Sequence, residues 1–510
     1  MKRYIFIVIL CSLCFVYSKA QDRVMVIADP HVYPQALIAQ DTATFNAYMK
    51  GQRKMVDLSE PIWHALIDTA LAKQPSLVLI PGDLTRDGET ESHAIVKAGL
   101  DTLRAHGIRT LVIPGNHDLP DANWESLYFG ANDVYMKDPN SHSYATQPLQ
   151  GLTVIGIDGS DDGNAGTGKL SPSTLAWILA RADEAVAQGR TIIAMAHWQI
   201  LEHFDQQGTL ESACRFKDAD ALRDSLMAHG VHLVLTGHFH VNGITTFRDT
   251  TGLTNDSLVE ISTGSPITYP CPYRWLTFSE DKSTMTVQTD YLMAVDTIAD
   301  LYTYSRNWMA EHTANMIPTL ALRAWNKVDS KWDNTIVPML KDKGKLSDIT
   351  IAYIHDYMLP STDEERIDIT RRHLGNAAIN LYLFHSEANE FERPELGQAL
   401  ADSVYAGMDG MMYECFGMLV DLISSIQVMA HEMAKEPVQS LVEDKTQWKS
   451  ALYADITDDL HPTLVINAPQ NFEGLDNQQS NINYRKFFKD GQLYIQVGNI
   501  LYTIDGRVVR

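Results

Sequence analysis

At 510 residues the chain exceeds one ordinary core, and at about 150 residues per domain it holds two or three. Its 45% apolar and 21% charged residues are ordinary for a globular protein, while a formal net charge of -23 repels phosphate backbones and argues against a nucleic-acid-binding module. Any local positive site is then expected from something other than Lys and Arg, with bound metal the first candidate.

The N-terminus opens with Lys2 and Arg3, followed by almost unbroken apolar sequence from Tyr4 to Tyr17. Ser18-Lys19-Ala20 then places small residues where a signal peptidase cuts. The apolar run is shorter than the ~20 residues of a spanning helix, so residues 1–20 are expected to be a cleaved signal peptide. The protein is expected to be exported, to the periplasm, the cell surface or the medium, with no transmembrane helix in the mature chain. Lys2, Arg3 and Lys19 are the only charges in this segment, so the remainder stands at -23 less three, or -26. Cys11 and Cys14 lack the small preceding residues of a lipid-attachment box. The wide spacing of Cys214, Cys271 and Cys415 suggests neither a disulfide framework nor a zinc ribbon.

From residue 23 to about 240, apolar runs alternate with amphipathic ones. Strands are expected at Arg23–Ala28, Leu77–Pro81, Thr110–Pro114, Leu152–Ile157, Thr191–Ala196 and His232–Leu235. Helices are expected at Pro61–Lys73, Glu91–His106, Ser173–Ala187 and Ala219–His229. Continuous apolar strands with helical crossovers indicate a layered α/β domain over residues 21–295, completed by strands at Leu258–Ser262, Trp275–Phe278 and Met285–Leu292.

After about residue 296, 3.6-residue patterns at Ile298–Ile317, Ile349–Met358, Arg366–Phe384 and Glu395–Ala434 predict a mostly helical domain, residues 296–440. Met411–Ala430 is strongly apolar, but Glu414, Asp421 and Gln427 interrupt it and favour a buried bundle helix over a membrane span. In the extension 441–510, Asp490-Gly491 and Asp505-Gly506 are hairpin signals for a small terminal β-element.

Polar residues gather just beyond the strand ends, where open α/β sheets place their sites. The runs are Asp29-Pro30-His31, Gly82-Asp83-Leu84-Thr85, Gly115-Asn116-His117-Asp118, His197 and Gly237-His238-Phe239-His240. Two divalent metals about 3.5–4 Å apart need a bridging carboxylate and several further N/O ligands. Asp, Asn and His together supply that set without excess negative charge. Strand alternation is expected to send Asp29 and His31 to the same side, towards one metal. A turn should separate His238 and His240 onto different metals.

In order and spacing these runs resemble the full motif set of the calcineurin-like metallophosphoesterases, across roughly residues 22–295. The forms Gly82-Asp83-Leu84-Thr85 and Thr236-Gly237-His238-Phe239-His240 are similar to the branch containing class III cyclic-nucleotide phosphodiesterases. The resemblance implies a four-layer α-β-β-α sandwich, two facing sheets flanked by helices. It also implies one metal held by Asp29, His31, Asp83 and His240, and a second held by Asp83, Asn116, His197 and His238. By the same resemblance a metal-bridging hydroxide attacks phosphorus in line. His117 protonates or stabilises the leaving oxygen, and Asp118 holds the His117 ring. The metals are manganese, iron or zinc.

Two departures qualify the resemblance. Purple acid phosphatases carry a tyrosine at the position of Arg86, so an iron–tyrosinate site is not expected. Trp198 replaces the His or Asn that often follows the fifth-motif histidine; packing is favoured over a base-stacking wall. The segment Glu260–Pro272 is expected to be a strand and connecting loop, with closure of Tyr269 or Tyr273 over the site as the alternative. His64, His93, His142, His203, His229 and His232 lie outside the motifs and are read as structural. The substrate class is a small phosphoester, a diester first, with monoesters (as in a nucleotidase) or pyrophosphates as alternatives. A non-catalytic binding protein on the same fold is the remote one. Oligomeric state is not legible.

Overall fold

The computed structural model describes residues 21–118, 123–130, 133–160, 167–203, 207–210, 212–249, 257–342, 344–387 and parts of 393–414, together with C-terminal strands from residue 463 onward. The strands in chain order are β1 (Arg23–Val26), β2 (Leu77–Pro81), β3 (Arg109–Ile113), β4 (Tyr135–Lys137), β5 (Tyr144–Leu149), β6 (Leu152–Ile157), β7 (Thr191–Ala196), β8 (Leu233–Thr236), β9 (Gly243–Arg248), β10 (Ser257–Ser262), β11 (Pro272–Phe278), β12 (Thr284–Tyr291) and β13 (Thr463–Val465). They form two sheets, ordered β13-β12-β11-β1-β2-β3 and β4-β5-β6-β7-β8-β10-β9. Strands β1, β2 and β3 run parallel, as do β6, β7, β8 and β10, and antiparallel strands flank both sets.

The apolar runs explain the layering. Every residue of β2 and of β7 is buried, because each strand is covered on both faces. One face of each points to a common core, where Val24, Leu77 and Leu79 meet Val154, Ile193 and Leu235. Alternate residues such as Met25 and Val78 face outward onto helices Ser59–Lys73 and Thr90–Ala105, packing with Trp63, Leu66 and Val96. On the far side Ile155, Ala194 and Val234 pack with helices Pro172–Ala187 and Ala219–Ala228. The result is the helix–sheet–sheet–helix sandwich that the resemblance implied.

The long apolar strands lie within about two residues of their expected positions, whereas β4, β5, β9 and β13 were not foreseen. β5 reads YATQPL, and β9 reads GITTFR with alternate exposure. Such peripheral strands lack the unbroken apolar run that marks a doubly covered one.

Beyond β12 the chain turns helical. Helix Leu301–Lys331 starts at an Asp300 cap that accepts from the Thr303 amide at 3.0 Å, and it continues through Pro318. The sequence pattern ended at Ile317. The helix persists because Ala321 and Trp325, one turn and two turns on, are buried with Trp332, Ile351 and Leu359, which offsets the hydrogen bond that proline removes. Helices Asp348–Met358 and Asp363–Glu387 follow. Leu301 and Val295 belong to the same core cluster as Trp63 and Trp275. One compact unit accordingly runs from the N-terminus to Asn467, and the change of texture near residue 296 falls inside it. A second unit, Ala468–Arg510, holds the antiparallel strands β14 (Tyr484–Lys489), β15 (Gln492–Val497), β16 (Ile500–Thr503) and β17 (Val508–Val509) in that order.

No described helix is long and apolar enough to cross a membrane. Residues 1–20, Cys415 and almost all of Met411–Ala430 lie outside the described residues. Cys271 is buried and Cys214 partly exposed, and no disulfide joins them among the described residues.

Candidate metal centre

The motif loops meet at one end of the sandwich, and hydrogen bonds continue the strand pairing beyond the strands themselves. The Asp29 amide donates to Gly82 O at 3.3 Å, His31 to Asp83 O at 3.0 Å and Val32 to Leu84 O at 3.0 Å. The expected alternation of Asp29 and His31 along an extended strand is not what unites them. β1 ends at Val26, and both residues sit in left-handed backbone, at φ 50° and 41°. Asp83, His238 and His240 share that conformation, at φ 51°, 65° and 63°. Each such residue costs on the order of 1–3 kcal/mol, a strain that concentrates at functional sites. Here the sharp turns aim alternate side chains at one point.

Glycines make room for the carboxylates. A Cβ on Gly115 would lie 2.2 Å from Asp83 Oδ1, and one on Gly237 would lie 2.3 Å from Asp29 Oδ2. The His117 amide donates to Asp83 Oδ1 at 2.9 Å, and the His238 amide to Asp29 Oδ1 at 2.9 Å.

The ligand atoms form two groups sharing one carboxylate. Atoms of Asp29, His31, Asp83 and His240 lie within 4.8 Å of one another, as do those of Asp83, His197 and His238. Asn116 Oδ1 stands 3.0 Å from His197 Nε2, beside the second group. His238 and His240 thus fall to different groups, as the turn between them suggested. His197 Nδ1 lies 2.9 Å from Pro81 O; a carbonyl only accepts, so Nδ1 carries the proton and Nε2 faces the cluster.

The donor set suits metal. His31 Nε2 and His240 Nε2 face each other at 3.1 Å, and His238 Nδ1 faces His197 Nε2 at 3.0 Å. These ring nitrogens, gathered around the shared Asp83 carboxylate, are the N donors that a shared cation takes. Burial lowers His31, His238 and His240 below the usual imidazole range, favouring the neutral form that binds metal. Burial also opposes the charge on Asp83, yet His197 and His31 hold it well below the usual carboxylate value.

Comparisons with known proteins identify related sequences and folds. A family model described as calcineurin-like phosphoesterase matches residues 22–242. The chain carries a calcineurin-like phosphoesterase domain. A Rhodococcus erythropolis protein named "Probable cyclic nucleotide phosphodiesterase" is 29% identical over 180 residues, 35% of this chain and 56% of that protein. A Synechococcus protein of the same description is 27% identical over 181 residues, 34% of this chain and 64% of its own. The match therefore spans less than two thirds of either relative. Among solved structures, a dimetal phosphatase from Danio rerio aligns at 15% identity and TM-score 0.39, covering 53% of this chain and 96% of that one. A purple acid phosphatase from yellow lupin aligns at 13% identity and TM-score 0.36, covering 54% and 52%.

Within the phosphoesterase domain one expected role is corrected. Asp118 does not hold the His117 ring. Its buried carboxylate accepts from the Thr85 amide (2.9 Å), the Thr85 hydroxyl (3.0 Å) and the Gly115 amide (2.8 Å), bracing one motif loop against the next. Burial and then the Asp83 charge raise it to about 7. The partner of His117 Nδ1 is Asp87 Oδ1 at 2.8 Å. The His117 ring also packs edge-on against His31, with centroids 4.8 Å apart, and so overhangs the first ligand group. Burial pulls His117 down, but Asp87 and Asp83 outweigh it and raise it above the usual imidazole value.

Other residues support the centre from outside the motifs. Buried Glu260 accepts from the amides of Ile200 (2.9 Å) and Leu201 (2.7 Å) and from the Thr236 hydroxyl (2.9 Å), and its other contact is His203 Nε2 at 3.1 Å. It ties the turn after His197 to the strand before His238. Ser265 Oγ donates to Asp29 O at 2.7 Å. Trp198 is fully buried against Phe216, which settles it as packing and not as a base-stacking wall. Tyr269 bonds Tyr302 at 2.8 Å, and Tyr273 stacks edge-on with Trp275. Arg86, in the tyrosine position of purple acid phosphatases, lies over the Tyr48 and Tyr33 rings at 4.2 and 4.8 Å.

Proposed function

We propose that this chain is an exported two-metal phosphohydrolase that cleaves small organic phosphodiesters outside the cytoplasm. The observation that carries the reading is the pair of ligand groups joined through Asp83, with His117 overhanging them. Asp29, His31, Asp83 and His240 would hold one ion, and Asp83, Asn116, His197 and His238 the other. Manganese, iron or zinc suits such O/N ligands. Two divalent ions held there would supply positive charge for the phosphoryl oxygens and an acidified water as nucleophile.

The chain's own residues do the rest. With Nδ1 engaged by Asp87, His117 presents Nε2 for the leaving oxygen. Asp118, Glu260 and Ser265 hold the loops that aim the ligands, and hence the substrate, in a fixed geometry. Diesters are placed first because the two named relatives are cyclic nucleotide phosphodiesterases by description. Export rests on the basic, apolar and small-residue segments of residues 1–20.

The test is hydrolysis of bis-p-nitrophenyl phosphate, p-nitrophenyl phosphate and an organic pyrophosphate by the metal-loaded protein. The expected order of kcat/KM is diester first. A monoester or pyrophosphate preference would replace the diester reading, and no turnover with metal bound would sink the hydrolase. N-terminal sequencing of the exported product should begin at Gln21; an intact Met1 would contradict export.

Asp87→Asn is expected to lower kcat by roughly 10-fold, the scale of losing an orienting partner, with metal content unchanged. Steady-state kinetics with metal analysis checks this. An unchanged kcat would free His117 from dependence on Asp87.

A further inference from the structure

The metal centre has a neighbour that no motif marks. Lys54 lies in the loop between helices Thr42–Met49 and Ser59–Lys73. The loop is pinned by the next residue, whose amide (Met55) donates to Ile267 O at 2.7 Å. Ile267 belongs to the same turn as Ser265, bonded to Asp29 O, and Thr268, whose hydroxyl reaches His240 O at 3.4 Å. The residue before, Arg53, points elsewhere, over the Tyr382 ring at 4.5 Å. Lys54, between this residue and the pinned Met55, is partly buried. Burial holds the Lys54 ammonium below the usual lysine range, and the charges of Asp83, Asp29 and Asp87 oppose that shift. Among the described residues its ammonium makes no ion pair or hydrogen bond.

A cation in this place works against metal. Two divalent ions bring four positive charges to a cluster where Asp29 and Asp83 bring two negative ones, so the loaded centre is already a net cation. A partly buried ammonium beside it adds repulsion that an anion would offset.

We propose that Lys54 is a substrate-binding residue whose ammonium takes a non-bridging oxygen of the phosphoryl group held at the metal centre. It would complete an anion site of which the two ions form the other part. It supplies a fixed positive charge on a side of the phosphoryl group that the ions do not occupy. This rests on the two-metal phosphoesterase reading.

The probe is inorganic phosphate, titrated calorimetrically into the manganese-loaded full chain, with metal content measured on every variant. Lys54→Met is expected to weaken phosphate binding roughly 10- to 100-fold, the range of a charge-assisted hydrogen bond, while metal content stays at the wild-type level. Lys54→Arg should restore binding to within about threefold, because a guanidinium serves a phosphate oxygen equally well. Lys54→Gln repeats the neutral substitution should Lys54→Met misfold. Unchanged phosphate binding in the neutral variants would overturn the proposal. So would a wild-type protein that holds metal but takes no phosphate, or neutral variants that fail only by losing metal. Lys54-dependent phosphate binding without turnover of any ester would sink the hydrolase reading and leave this one standing.

Discussion

Asp83→Ala is expected to abolish turnover, lowering kcat/KM on any phosphoester by roughly 10^4-fold or more. The carboxylate is the one group shared by both ligand clusters, so its removal weakens both ions and the coupling between them. Three further contacts go with it: the His117 amide at 2.9 Å, His31 at 3.4 Å and His197 at 3.3 Å. The fold should survive, because the change removes a buried charge and no part of the apolar layers. Steady-state kinetics, metal analysis and thermal melting of the same preparation check all three expectations. A variant that melts normally and retains more than about a tenth of the wild-type rate would show that Asp83 bridges nothing.

His117→Ala should separate two roles through the leaving group. If Nε2 donates the proton, an ester with a p-nitrophenolate leaving group needs little help and should lose about 10-fold. An alkyl ester, whose alkoxide cannot leave unprotonated, should lose roughly 10^3-fold. Metal content should not change, since His117 belongs to neither ligand group. The check is the ratio of kcat for aryl and alkyl esters in the variant and the wild type. Equal losses on both would make His117 a group that binds or stabilises the phosphoryl oxygens instead of an acid.

The layered fold was legible because its central strands are doubly covered. A run such as LVLIP or TIIAMA has no polar side to place in water, so its position in a sheet with helices on one face and a second sheet on the other follows from composition alone. Peripheral strands carry no such mark. β5 admits Thr146, Gln147 and Pro148 in succession, and only its pairing with β6 reveals it. The pattern Ile298–Ile317 stops short of the full helix because the burial of Ala321 and Trp325, which carries it past Pro318, depends on residues distant in sequence.

The centre divides in the same way. The ligand candidates were legible because each stands at a strand end in a recurring run, and several such runs converge. The residues that serve those ligands were not. Asp87 and Ser265 lie in loops and Glu260 on β10, all outside the ligand runs, and no recurring motif marks the contacts they make. Asp118 shows the converse error. It follows His117 in the chain, yet the tight turn after Gly115 sends one side chain outward over the ligands and the next inward to Thr85 and Gly115. Neighbours in sequence became opposites in space. Likewise Asp29 and His31 do converge, but through left-handed turns that no alternation rule describes.

The most direct test of the account is metal stoichiometry. The full chain, stripped with chelator and titrated with manganese under equilibrium dialysis, should bind two ions per chain, and the pair should give the spin-coupled resonance of two manganese ions sharing a bridging ligand. One ion per chain, or two that show no coupling, would contradict a centre joined through Asp83.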